Sequence, residues 1–139
     1  MNHNLYNIYM NKYLLCFSIA LSSLFVFSKD TVSDIFKPHY RNQLFLNVEA
    51  ALAEAQSELG IIPAWAAEEI ASKADIIYLP KIEIDAEHKL VRHTLVARLN
   101  VWKRSIDKDA AEYLHYGATT VDIWDTVLVL QLKDSIDLM

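Results

Sequence analysis

The run His115-Tyr116-Gly117-Ala118-Thr119-Thr120-Val121-Asp122 brings a histidine, a glycine, two hydroxyls and a carboxylate close together in sequence. Gly117 can take backbone conformations closed to other residues just before a helix. Thr119 suits the N-cap of that helix, and Asp122, three residues on, completes a capping-box-like pair. The free N–H groups of the first turn, with the Thr119 and Thr120 hydroxyls, could hydrogen-bond a carboxylate or phosphate, and the helix dipole favours the same anion. His115, one turn before the cap, would stand beside that anion and donate to it or orient it. The same residues also describe an ordinary capped helix with a packed or solvent-facing histidine, because capping threonines are usually structural. Residue types alone leave both readings open.

Other chemistry is excluded more readily. Cys16 is the sole cysteine, so neither an intrachain disulfide nor a cysteine-based zinc site can form. Gly60 and Gly117 are the only glycines, too few for a glycine-rich phosphate cradle. No His/Asp/Glu grouping has metal-ligand spacing, so neither a metal nor a cofactor is expected. A formal charge of -5 without a basic stripe argues against nucleic acid as a partner. His88 lies on or beside an apolar stripe and reads as structural, His93 reads as a histidine on the polar face of a helix, and His3 and His39 carry no assignment.

The elements that must position these groups read as helices. The chain has 139 residues, 53% of them apolar, enough for the core of one domain. Few glycines and prolines amid Ala, Leu and Glu predict an all-α fold. The clearest helix spans about Arg41 to Leu59: Leu44, Val48, Ala51, Leu52, Ala55 and Leu59 recur at helical spacing, while Glu49, Glu54 and Glu58 fall elsewhere. Gly60 follows where a left-handed cap is favoured. Pro63 opens a second helix over about Ala64 to Ala74, and Ile76 to Pro80 reads as an apolar connector. A third helix is predicted from about Ile82 to Arg104, with Ile84, Val91, Leu95, Leu99 and Trp102 as its apolar stripe. Ser105 to Lys108 reads as a turn. The last helix starts near Thr119 and is apolar almost all round, so it needs partners on several sides.

The N-terminus admits two readings. Leu14 to Phe27 is an apolar run of about 14 residues, the length of a signal-peptide core and short of the roughly 20 that span a bilayer. A buried helix explains the same run, and the residues before it carry little of the positive charge that export signals show.

Taken together, these segments resemble the fumarase/aspartase superfamily. HYGATTVDIWDT (His115–Thr126) resembles its first conserved block, in the form seen in adenylosuccinate lyases and carboxymuconate cycloisomerases. VEAALAEAQSELGIIPAWAAEEI (Val48–Ile70) resembles the second helix and following turn of those enzymes, and EIDAEHKLVRHTLVARL (Glu83–Leu99) their next helix, which carries Thr-x-His before an apolar run. SDIF (Ser33–Phe36) looks like the family's opening, ahead of a helix in which Arg41, Gln43 and Phe45 stand for arginine, glutamine and tryptophan.

The resemblance implies a domain over residues 27–139, an N-terminal helical domain plus the start of the family's central helical bundle, with 1–26 poorly matched. It implies a cofactor-free lyase, closest to adenylosuccinate lyase, releasing fumarate from adenylosuccinate by β-elimination in purine nucleotide biosynthesis. By the same resemblance His93 assists the general acid, while His115, Thr119 and Thr120 bind a dicarboxylate or nucleotide substrate. Asp122 and Asp125 would steady the turn. The family threonine two before the histidine is Val91 here, and Arg92 replaces a small residue. The family's Ser-Ser-x-Met-Pro-x-Lys base loop and second histidine have no counterpart in the sequence. The family's enzymes are cytoplasmic homotetramers with sites shared between subunits, so the expected partner is further copies or a separate C-terminal portion, and this chain alone is expected to be inactive. A carboxymuconate cycloisomerase-like piece, a non-catalytic helical interaction protein, and membrane attachment through Leu14–Phe27 are the alternatives.

Overall fold

The computed structural model describes residues 31–139; the Leu14–Phe27 run and the 1–26 segment lie outside them. Among the described residues the fold is helical, without strands. A one-turn helix α1 (Val32–Ile35) is set by a capping box in which the Thr31 N–H donates to the Asp34 carboxylate at 3.0 Å. Helix α2 (Pro38–Glu58) follows, starting three residues before the sequence-based boundary because Pro38 sits at its first position, where a missing N–H costs nothing. It ends as expected at Gly60, whose φ is +70°. The Gly60 N–H reaches the Ser57 carbonyl at 2.9 Å and the Ile61 N–H the Gln56 carbonyl at 2.8 Å, both bonds of a Schellman closure.

Helix α3 (Ala64–Ser72) packs back against α2, and a 3-10 turn (Ile76–Tyr78) occupies the expected connector. Gln43 on α2 holds that connector from both sides, donating to the Ala74 carbonyl and accepting from the Ile76 N–H, each at 2.9 Å.

The predicted single helix from Ile82 to Arg104 is in fact two. Helix α4 (Lys81–Val91) stops at Arg92, whose φ of 54° is left-handed, and α5 (Thr94–Lys103) begins at His93 as N-cap. The halves fold into an antiparallel hairpin. Asn100 donates to Glu87 at 2.9 Å, and Arg104 reaches both Glu83, at 2.9 Å, and Glu87. The break carries neither Gly nor Pro, so local propensity gives no sign of it. Doubling back lets Leu95, Leu99 and Trp102 enter a core that a straight rod could not reach. Trp102 is wholly buried, its indole N–H donating to the Lys73 carbonyl at 2.7 Å and its ring meeting Phe45 edge-on at 6.1 Å.

A short α6 (Lys108–Ala111) leads to α7 (Thr120–Asp137). Helix α7 buries Ile123, Val127, Gln131 and Ser135 against α1 and α2. Gln131 donates to the Ile35 carbonyl at 2.7 Å, which satisfies both groups in a buried place. On its other sides Leu128, Val129, Leu132 and Ile136 remain about half exposed or more. Its nearly continuous apolar character is thus only partly used within the described residues.

The buried face of α2 differs from the one its periodicity suggested. Phe45, Leu46, Ala50 and Ala53 are buried together with Glu49, whereas Ala51, Ala55 and Leu59 are not part of that face. Leu44, Val48 and Leu52 are half-buried at the edge of the core. The expected stripe therefore borders the core, and Glu49, assigned by spacing to a polar face, lies inside it.

Candidate functional site

The segment Leu114–Thr120 is built from two left-handed residues, His115 at φ +61° and Gly117 at φ +69°, followed by the extended N-cap Thr119. A β-carbon at Gly117 would meet nothing within 4 Å, so glycine is favoured there by backbone conformation and not by crowding. Thr119 and Asp122 form the expected capping box, in which the Thr119 N–H donates to the Asp122 carboxylate at 2.8 Å; separately, the Asp122 N–H reaches the Thr119 backbone carbonyl at 3.1 Å. One of the helix's donors is thereby taken by the protein's own acid. Thr120 opens the helix and is half-buried.

Helix α2 holds this loop at two points. Gln56 donates to the Tyr116 carbonyl at 2.7 Å. About two turns earlier on the same helix, Glu49 Oε1 lies 2.8 Å from His115 Nδ1. The distance fits an ion pair, but burial opposes charge on both partners. Glu49 is 1% exposed, and loss of water pushes its carboxyl up to about 8. Burial likewise holds His115 below its ordinary value, Lys103 adding to the effect and Asp122 opposing it. Burial thus works against the charged form of both partners across this 2.8 Å contact. Oε2 of Glu49 is buried and has no partner. Spacing offered no sign of Glu49 as a site residue; its position, 66 residues from His115, is a product of how α2 crosses the loop.

Between α2 and α7 runs an open cleft of about 590 Å³, walled by Val48, Leu52, Ile123 and Leu130 and ended by Gly117 and Ala118. Its lining is chiefly apolar, and none of His93, His115, Thr119 or Thr120 lines it.

His93 sits apart from this loop. It is the exposed N-cap of α5, its Nδ1 accepting from the Val96 N–H at 3.3 Å, instead of a residue on the polar face of a continuous helix. His88, expected beside the apolar stripe, is exposed in the last turn of α4. The structure thus joins His115, Thr119 and Thr120 in one loop, while no hydrogen bond or ion pair among the described residues links His93 to them. An unanticipated cluster joins α2, α5 and α7, in which the guanidiniums of Arg41 and Arg98 stand 4.5 and 5.2 Å from the Trp124 ring centroid.

No protein-family model matches the chain. Similarity to individual proteins is clear. Adenylosuccinate lyase of Synechocystis is 43% identical over 105 residues, 76% of this chain and 23% of that enzyme. That of Methanocaldococcus jannaschii is 39% identical over the same shares. Among solved structures, the 3-carboxy-cis,cis-muconate lactonizing enzyme of Pseudomonas putida superposes with a TM-score of 0.71 at 30% identity, covering 77% of this chain and 25% of that one. The fumarate lyase of Mesorhizobium gives 0.69 at 32%, with the same coverage. The chain spans about a quarter of the length of the relatives it matches.

Proposed function

The chain belongs to the fumarase/aspartase superfamily of lyases, and on that premise we propose that it supplies one substrate-binding segment of a composite adenylosuccinate lyase-like site. The observation that carries the reading is the His115–Thr120 loop: a histidine and two threonines gathered at the capped start of α7 and braced by Glu49 and Gln56 of α2. It lies in a chain 43% identical, over the matched residues, to one adenylosuccinate lyase.

In this reading residues 27–139 are the N-terminal helical domain and the start of the central bundle. Thr119, Thr120 and the first N–H groups of α7 hold a carboxylate of the succinyl or fumarate moiety, where helix-terminal donors suit developing negative charge. His115 positions the substrate, and His93 assists the general acid that protonates the departing nitrogen. The base that removes the proton beside the carboxylate comes from another polypeptide segment, because the sequence has no Ser-Ser-x-Met-Pro-x-Lys loop. The working assembly is then a cytoplasmic oligomer, a homotetramer by family resemblance, or a complex with a separate C-terminal portion. The reading is tested by mixing this chain with a separately produced C-terminal portion of a related lyase and following fumarate release from adenylosuccinate by ultraviolet absorbance. Complex formation without turnover at any stoichiometry would sink it.

The similarity to muconate-lactonizing enzymes favours a second substrate, 3-carboxy-cis,cis-muconate. The same mixture assayed with that compound separates the two.

A further inference from the structure

Among the described residues, Glu49 is the one carboxylate with a wholly buried side chain in hydrogen-bond contact with a residue of the candidate site. It has one partner for two oxygens: Oε1 meets His115 Nδ1 at 2.8 Å, and Oε2 meets nothing. A buried carboxylate ordinarily gathers several donors, since each unmet lone pair is costly away from water. A carboxyl that keeps its proton and donates it to a single acceptor does not need them. His115 is in turn held by a left-handed backbone at φ +61°, and its side chain is 18% exposed. One imidazole nitrogen is committed to Glu49, and the other, Nε2, is the nitrogen left for a ligand.

We propose that Glu49 is a positioning residue which shares one proton with His115 and thereby decides whether Nε2 offers a hydrogen or a lone pair to a bound anion. When the pair holds both protons, Glu49 O–H donates to Nδ1 and Nε2 carries a hydrogen that can donate to a carboxylate. When one proton leaves, the Glu49 proton moves to Nδ1, the Nε2 proton is the one released, and Glu49 becomes a carboxylate accepting from Nδ1–H. Nε2 then presents a lone pair, which repels a carboxylate. The charged groups acting on the pair from neighbouring elements are Asp122 of α7, which favours a charged imidazole, and Lys103 at the end of α5, which disfavours it. The inference rests on the substrate-loop reading for the identity of the anion; the proton sharing itself does not.

The test uses the whole 139-residue chain with ¹⁵N-labelled histidine and long-range ¹H–¹⁵N spectra recorded from about pH 6 to about pH 10, a range that brackets the raised carboxyl. Expected is a neutral His115 in the Nε2–H form at the lower end, crossing to the Nδ1–H form near pH 8. In Glu49→Gln the crossing should be lost and one tautomer kept throughout. The wild-type titration needs no variant, so it stands even if that substitution unfolds the chain. An Nδ1–H tautomer already at the lower end, or a crossing that survives in Glu49→Gln, overturns the proposal. A parallel series with fumarate reads the anion: the His115 shift on binding should weaken at least tenfold from the low to the high end in wild type and stay level in Glu49→Gln. A crossing with no response to fumarate at any pH upholds the shared proton and counts against the substrate-loop reading.

Discussion

The turn at Arg92–His93 and the turn at His115–Thr119 both enter a helix through left-handed backbone followed by an extended N-cap, yet they are anchored quite differently. The first is exposed and self-contained: a non-glycine residue bears the left-handed conformation, and an imidazole serves as a weak cap at 3.3 Å. The second has glycine at one left-handed position and a full capping box, and it is tied to α2 through Glu49 and Gln56. Similar local geometry therefore serves a chain reversal in one place and a held side chain in the other. What distinguishes them is the element behind: solvent for His93, a buried carboxyl for His115.

Removing the acid behind His115 should have the largest effect. Glu49 is raised in the folded state, so its contribution is full below the ordinary carboxylate value and is lost as pH rises through about 8. Glu49→Gln should therefore abolish the decline across that window. At about pH 9 it should be the more stable chain by on the order of a few kcal/mol, since raising a carboxyl by one pH unit costs about 1.4 kcal/mol. His115, lowered by burial, acts in the opposite sense, its contribution present above its ordinary value and lost as pH falls; that acid limb should persist in the variant. Urea unfolding followed by circular dichroism at several pH values measures both limbs. Equal slopes in the two chains would erase the distinction between the turns.

Gly117→Ala comes next. With no atom near the added methyl, the loss reports backbone conformation alone and should be about 1–2 kcal/mol by denaturant midpoint. Thr119→Ala should cost about 1 kcal/mol as one half of the capping box goes. In the other turn, Arg92→Gly should stabilise by up to about 1 kcal/mol, because the left-handed conformation there is borne by a side chain that disfavours it. The smallest stability change belongs to His93→Asp, about a few tenths of a kcal/mol in the stabilising direction, since aspartate is the better cap. The same substitution in the reconstituted lyase should lower turnover by about 10²-fold or more if His93 assists the acid. Unchanged turnover would leave His93 as a cap and nothing else.

Much of the local architecture is legible from residue types. Gly60 marks the end of α2, Pro63 the approach to α3, and Thr119 with Asp122 the start of α7, because caps depend on residues within one turn of each other. Membership of the superfamily is legible in the combination of motifs. The grouping of His115, Thr119 and Thr120 needs only their adjacency in sequence. The break after Val91 is not legible, since Arg92 and His93 are neither glycine nor proline. The reversal is tied to the burial of Leu95, Leu99 and Trp102, with the pairs of Glu83 and Glu87 to Arg104 and Asn100 bridging the two halves.

By itself, then, the sequence determined that this chain is helical, where α2 ends and where α3 and α7 begin, and which family it resembles. Only the tertiary structure decided that Glu49 lies inside, that His93 stands apart from His115, and that the stripe of α2 borders a cleft. Helical periodicity says which residues share a face, but which face loses its water depends on the elements that pack against it. At Glu49 that loss of water leaves a surface-looking acid buried beside the candidate site, with its carboxyl raised.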